Sequence, residues 1–301
     1  MPTLRYSNNE IYIDVVERLE GTVGRDDHLR RANLYATVVC RSRLSGMPEI
    51  LIALSKAELL RDASLHPCVR GRRWQQEQIL SFIPPDGSVE LASFRVGDAH
   101  SVALFEPAQQ GGAGASPSLP PPMSSPAGNL ENAAPLSCHC WMRGGLLNLD
   151  PDGDGAMRTV EFEIEIEPRL QQDRHLQEIV VSFELPEDAT NVDAVLIGEG
   201  SSSAAQRDVG SAGTFMYDSS LHVFRWSIGS LRRSSLARAK GSFETYSIAP
   251  RPASSATVQF QVGMHGLSGV RVDSLTLQGE GYKPFKGVRN VLVGDLEYRW
   301  S

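Results

Sequence analysis

Apolar and polar positions alternate with a period of two along most of the 301-residue chain. In EIYIDVVE, Ile11, Ile13 and Val15 alternate with Tyr12, Asp14 and Val16, and the same rhythm runs from Leu34 to Cys40. The sharpest case is VEFEIEIEP, where Val160, Phe162, Ile164 and Ile166 alternate with four glutamates. Successive side chains of a strand point to opposite faces, so this pattern predicts half-solvated antiparallel strands. The runs at 179–186, 256–264 and 272–280 repeat it. ALSKAELLRDA (53–63) is the one short helical candidate. Many strands punctuated by Gly and Pro predict an all-β sandwich.

Two stretches interrupt the rhythm. Residues 107–137 hold 22 Pro, Gly, Ser or Ala in 31 positions, too little apolar surface to offset the entropy of ordering, so a flexible insertion is expected there. GEGSSSAAQRDVGSAG (198–213) predicts a shorter loop of the same kind. Between them DPDGDGAMRTVE (150–161) matches the spacing of an EF-hand calcium loop, with Asp150, Asp152, Asp154, Gly155 and Glu161 in place. An EF-hand needs a helix on each side, yet Glu161 opens a period-two strand and a Gly pair precedes the loop. Asp and Gly also accept the left-handed angles of a tight turn, and a turn between strands is the preferred reading.

Composition removes several classes. A net charge of −7 gives no field for nucleic acid, and no apolar run approaches a membrane span. Four scattered cysteines suit a cytosolic chain with reduced thiols better than a disulfide framework. Cys138-His139-Cys140 is tighter than a zinc knuckle and lacks a second pair, so it reads as the start of a strand; Cys40 and Cys68 read as small residues within apolar strands. Arg70-Gly71-Arg72-Arg73-Trp74 reads at least as well as a solvated strand face as it does as a nucleic-acid patch. No nucleophile elbow, phosphate loop or metalloprotease pair is present, so neither an enzyme nor a cofactor or metal is expected.

Three blocks carry a resemblance: NNEIYIDVVE (8–17) with RLSGMPE (43–49), LHPCVRGRRWQQEQILSFIPPDGSVELASFRV (65–96), and SGVRVDSLTLQGEGYKPFKGVRN (268–290). Together they resemble the mu homology domain of the medium subunits of clathrin-type adaptor complexes. HPCVRxxRW and YKPFKG are most similar to the medium subunit of the third complex; TFMYDSSLHVFRWSIGSL (214–231) fits more loosely. The resemblance implies an elongated immunoglobulin-like β-sandwich of two subdomains. Residues 1–106 and 263–301 would form the first, and 138–262 the second, inserted into it. The N-terminal domain of a full medium subunit is not in the sequence, which therefore reads as an excised cargo-binding domain.

In such domains a signal of the form Tyr-x-x-Φ, with Φ bulky and apolar, lies as an added edge strand. The resemblance implies that Tyr12 walls the tyrosine pocket, Asp14 accepts the phenol hydroxyl and Arg289 stacks on the ring, with Arg41 where some relatives have lysine. Ile11, Ile13, Val272, Leu275 and Val288 would line the Φ pocket, and Lys286 to Asn290 would offer the edge. Gly287 replaces a Trp of relatives, opening the rim. By pattern alone, Ile11, Ile13, Val272 and Leu275 read more readily as sandwich core. Asp14, within an apolar strand, needs a partner, and Arg289 could serve without cargo. The implied role is sorting of membrane proteins toward lysosome-like organelles or vacuoles, from the periphery of Golgi, endosomal and vesicle membranes. Partners would be cargo tails and, through the N-terminal domain, other adaptor subunits. Membrane contact would be indirect, since only Lys240 of the four lysines lies in the second subdomain. The alternative is a mu-homology scaffold that binds other proteins without a tyrosine pocket.

Overall fold

The computed structural model describes residues 5–97, 134–148, 157–170, 174–198, 213–232, 235–246 and 255–300. Within them the period-two runs form strands: β1 (Glu10–Val23), β2 (Leu29–Arg43), β3 (Glu49–Leu54), β4 (Leu60–Leu65), β5 (Ile79–Phe82), β6 (Gly87–Val96), β7 (Leu136–Asn148), β8 (Met157–Pro168), β9 (His175–Glu184), β10 (Thr190–Ile197), β11 (Thr214–Asp218), β12 (Val223–Arg232), β13 (Ala237–Thr245), β14 (Ser255–Gly263), β15 (Val272–Gln278) and β16 (Phe285–Arg299). In β8 the alternation is realised in full. Val160, Phe162, Ile164 and Ile166 are buried, while Arg238 and Lys240 of the adjacent β13 approach Glu163 at 3.0 and 3.2 Å.

One sheet of nine strands runs β11-β12-β9-β14-β16-β1-β2-β6-β4. Two smaller sheets, β10-β13-β8-β7 and β15-β3-β5, complete an all-β sandwich that shares one continuous buried core. Phe162 of β8 meets Phe183 of β9 at 5.4 Å and Phe224 of β12 at 5.1 Å, edge to face, which fixes the four-stranded sheet onto the β9/β12 end. Removing such a ring would cost about 3–5 kcal/mol. Strand β1 pairs in parallel with β16, and β14 pairs with both β16 and β9, so the large sheet continues across the division expected near residue 263.

Four local expectations are corrected. Residues 53–63 do not form a helix. Ala53 and Leu54 pair with Ile79 and Val272, and only a single turn of 3-10 helix (Ala57–Leu59) separates β3 from β4. Sheet pairing outweighs the modest local propensity. The basic cluster at 70–74 lies not on a strand but at the start of helix α1 (Gly71–Glu77), where Trp74 packs on Phe94 at 4.9 Å. With one apolar residue in the helix, no periodicity could announce it. Two of its three arginines are engaged, Arg70 with Glu49 at 2.8 Å and Arg73 with Glu77 at 3.2 Å. Cys68 is in the turn before α1, where its N–H donates to His66 Nδ1 at 3.2 Å. Finally, residues 134–137, assigned above to the insertion, belong to the fold. Ala134 N–H donates to Asp27 O at 2.9 Å, and β7 begins at Leu136, two residues before Cys138.

The rest of the insertion up to residue 133, most of the 198–213 loop, and Asp150–Gly155 lie outside the described residues. On either side of Asp150–Gly155 stand β7 and β8, paired antiparallel, with Glu161 opposite Arg143. Strands occupy the places where an EF-hand has helices.

Candidate peptide-binding site

Strand β16 has two halves with different neighbours. From Val291 onward it lies between β1 and β14, whereas Phe285–Asn290 pairs with β1 alone because β14 ends at Gly263, opposite Val291. Six consecutive residues therefore present an unpaired backbone edge within the described structure, the kind of edge that accepts another strand.

Parity sorts the side chains around that edge. Tyr12 pairs with Gly287 and Asp14 with Arg289, all on the outer face; Ile11 pairs with Lys286 and Ile13 with Val288, on the face toward the core. On the outer face, Arg289 donates from Nε to Asp14 Oδ1 at 2.6 Å and from Nη2 to Asp14 Oδ2 at 2.7 Å. This bond, with the carboxylate charge, raises the arginine further above its ordinary pKa. Arg41 of β2 lies over the Tyr12 ring, Cζ 5.2 Å from its centroid, a cation–π contact. The Tyr12 hydroxyl donates to Glu10 Oε2 at 3.1 Å, and that carboxylate raises the phenol pKa. The Phe285 ring stands 5.7 Å from that of Tyr12. Gly287 is not simply an open rim: a Cβ there would fall 2.5 Å from Tyr12 Cδ1, so the Tyr12 ring occupies that space.

On the inner side, Lys286 Nζ donates to Leu275 O at 2.5 Å and Asn290 Nδ2 to Val270 O at 2.6 Å, holding β15 and its approach opposite the free edge. Val272 and Leu275 are half-buried there, and Val288 is 45% exposed. Ile11 and Ile13 are a correction. Both are 0% exposed and belong to the sandwich core, so they form the floor beneath the edge rather than an open wall. Their strict inward parity, with β2 and β16 on either side, accounts for this.

Three features went unnoticed in the sequence. Glu10 and Phe285 engage Tyr12, although neither breaks a pattern. Glu17 does break one. It occupies an inward position of β1 and is fully buried, its carboxylate accepting the N–H groups of Leu267 at 2.5 Å and Ser268 at 3.0 Å as well as the Ser268 hydroxyl. It thereby anchors the loop that follows β14 and leads the chain away from the β16 edge. A charged residue at the fourth inward position of IYIDVVE was the available signal.

Elsewhere the chemistry is quiet. Burial pushes the Cys40 and Cys140 thiols up to about 12 and Cys138 well above its ordinary value. Cys138 and Cys140 share one face of β7 while His139 takes the other, 3.4 Å from Asp27 Oδ2, so the three cannot converge on an ion. A groove of about 670 Å³ lies over the outer face of the four-stranded sheet, by Trp141, Glu163, Val195 and Lys240. Its central carboxylates already face Arg238 and Lys240, and no residue of β1 or β16 lines it.

The arrangement is that of a mu-homology domain. The yeast delta-COP-I mu-homology domain superposes with a TM-score of 0.53 at 14% identity, covering 99% of this chain and 100% of that one. The same domain complexed with a Dsl1 WxWxV peptide gives 0.51 at 13% identity, covering 99% and 100%. The model of the adaptor complexes medium subunit family matches residues 1–300, and the chain belongs to that family, which is not enzymatic. Human AP-3 complex subunit mu-1 is 28% identical over 290 residues, covering 96% of this chain and 57% of that protein; the human mu-2 subunit is 26% identical, covering 95% and 56%. The chain thus spans little more than half the length of these curated relatives.

Proposed function

We propose that this chain is the cargo-recognition part of a vesicle-coat adaptor, binding Tyr-x-x-Φ signals in the cytosolic tails of membrane proteins. The observation that carries the reading is the free Phe285–Asn290 edge, with an ion-paired carboxylate on one face and exposed apolar surface on the other. A peptide added there gains main-chain hydrogen bonds along its length. Tyr and Φ are three residues apart, an odd separation, so their side chains leave an extended strand on opposite faces. The outer face offers Asp14 to a phenol hydroxyl, with Arg289, Arg41 and Tyr12 beside it. A carboxylate has about four acceptor positions, so Asp14 can take a third hydrogen bond without releasing Arg289. The inner face offers Val288, Val272, Leu275 and the stem of Lys286 to the apolar residue.

The similarity to AP-3 mu subunits supports a place among other adaptor subunits. In this reading the chain works at the cytoplasmic periphery of Golgi, endosomal and vesicle membranes, with lysosome-like organelles or the vacuole as destination. Nucleic acid is not a partner in this reading. Calorimetric titration with a Tyr-x-x-Φ peptide tests it. Binding should vanish when Tyr or Φ is changed to Ala, and a peptide that binds equally well without its Tyr contradicts the reading.

A further inference from the structure

The direction of a signal on the β16 edge follows from what borders that edge. Asp14, the acceptor for the phenol, is level with Arg289, so the tyrosine lies opposite Arg289. Φ, three residues further on, would fall opposite either Leu292 or Lys286. Leu292 is already paired with Val262 of β14. The signal therefore runs antiparallel to β16 and sets Φ opposite Lys286.

Backbone parity then fixes how Φ is held. The Phe285 N–H donates to Asn9 O at 2.9 Å, toward the β1 side. Backbone groups of successive strand residues point to opposite edges, so the N–H and C=O of Lys286 face the open edge. In an antiparallel pair such a residue exchanges both bonds with the one opposite, and the Lys286 N–H donates to the carbonyl of Φ. Where Φ ends the tail, that carbonyl is one oxygen of the terminal carboxylate.

The same lysine supplies a matching charge. Its Nζ donates to Leu275 O at 2.5 Å, on the side of the sheet that receives Φ, and it forms no ion pair with any described residue. Lys283, exposed just before β16, forms none either. These are two of the four lysines in a chain of net charge −7, and both stand where the C-terminus of the signal leaves the edge. A backbone carbonyl carries only a partial charge, whereas a carboxylate matches the ammonium in a charge-assisted bond. The flexible stem lets Nζ turn from Leu275 O to that carboxylate while its methylenes stay against Φ. Resting on the Tyr-x-x-Φ reading, we propose that the site prefers signals whose Φ is the last residue of the tail, and that Lys286 reads their free α-carboxylate.

Calorimetry on the 301-residue chain tests this with a Tyr-x-x-Φ peptide ending in a free acid, the same peptide amidated, and the same peptide extended by two glycines. A free-acid peptide with Tyr changed to Ala is the control. The free acid should bind about fivefold more tightly than the amide or the extended peptide, the upper range for an ion pair near the surface. That advantage should shrink in about 1 M salt, where charges are screened within about 3 Å. In Lys286→Met, which keeps an apolar stem, free acid and amide should bind alike. If all three peptides bind the native chain equally and depend on Tyr, the inference is overturned while the tyrosine reading stands. A free-acid advantage that survives in Lys286→Met overturns it in the same way. If the Ala control binds as tightly as its parent, or no peptide binds, the tyrosine reading has failed and this inference falls with it.

Discussion

The ring of Tyr12 lies directly across Gly287, its register partner on the parallel neighbour β16, so closely that a Cβ at 287 would come within 2.5 Å of the ring. An aromatic side chain covering a glycine in this way fills the space that a side chain at 287 would occupy. The atom approached is Cδ1, near the stem of the ring, so Tyr12 can yield only by leaving its rotamer. Gly287→Ala should therefore displace the ring from beneath Arg41 and weaken peptide binding severalfold. In a Tyr12→Ala background the same change should have little further effect, because both remove the same packed ring. Equal losses in both backgrounds, measured by peptide titration, would show that the glycine acts otherwise.

Glu17 predicts a stability effect. Its buried carboxylate answers three donors of the loop after β14, so Glu17→Gln replaces one acceptor oxygen by a donor facing buried N–H or O–H groups. The cost should be about 1–3 kcal/mol in urea unfolding, the range for a buried donor left unsatisfied. Ser268→Ala should cost less, since the two backbone bonds to Glu17 survive. A neutral Glu17→Gln would mean that the loop is held by something else.

How much of this was legible depends on where the side chains point. The strands from Ile11 to Cys40 and from Val160 to Pro168 could be read directly, because burial of one face imposes the period on the letters. Helix α1 could not, since Trp74 alone anchors it. The region around Ala57 had some helical character that cross-strand partners far away in sequence overrode. Tyr12, Asp14, Arg41, Gly287 and Arg289 were nameable through resemblance, and the structure gathers them around one strand edge. The inward placement of Ile11 and Ile13 was already present in the alternation, which favoured core. What letters could not show was that β14 stops at Gly263 and leaves the edge open, a fact of register between distant strands.

Alkaline pH should destabilise the fold. Burial raises the thiol pKa of Cys40 and Cys140 to about 12, raises that of Cys138 well above its ordinary value, and does the same to the Tyr298 phenol. An unfolded thiol titrates at about 8.5. Between these values the folded chain holds protons that the unfolded chain has lost, so unfolding stability falls as pH rises. This contribution is complete below about pH 8 and disappears progressively toward pH 12. Urea midpoints should drop over that window, and Cys138→Ala should make the drop shallower. A midpoint that is flat or rising from pH 8 to 11 would contradict this account.

The central claim is that Asp14 reads the hydroxyl of a tyrosine laid along the β16 edge. The measurement that tests it most directly is a double-mutant cycle by calorimetry, pairing Asp14→Ser in the protein with Tyr→Phe in a Tyr-x-x-Φ peptide. A hydrogen bond to a charged group contributes roughly 1.5–3 kcal/mol, so either change alone should weaken binding about tenfold or more. Together they should cost little more than one, because each removes the same bond. If the two losses simply add, or if the Phe peptide binds the native protein as tightly as the Tyr peptide, then Asp14 serves only to hold Arg289 and the proposed site is wrong.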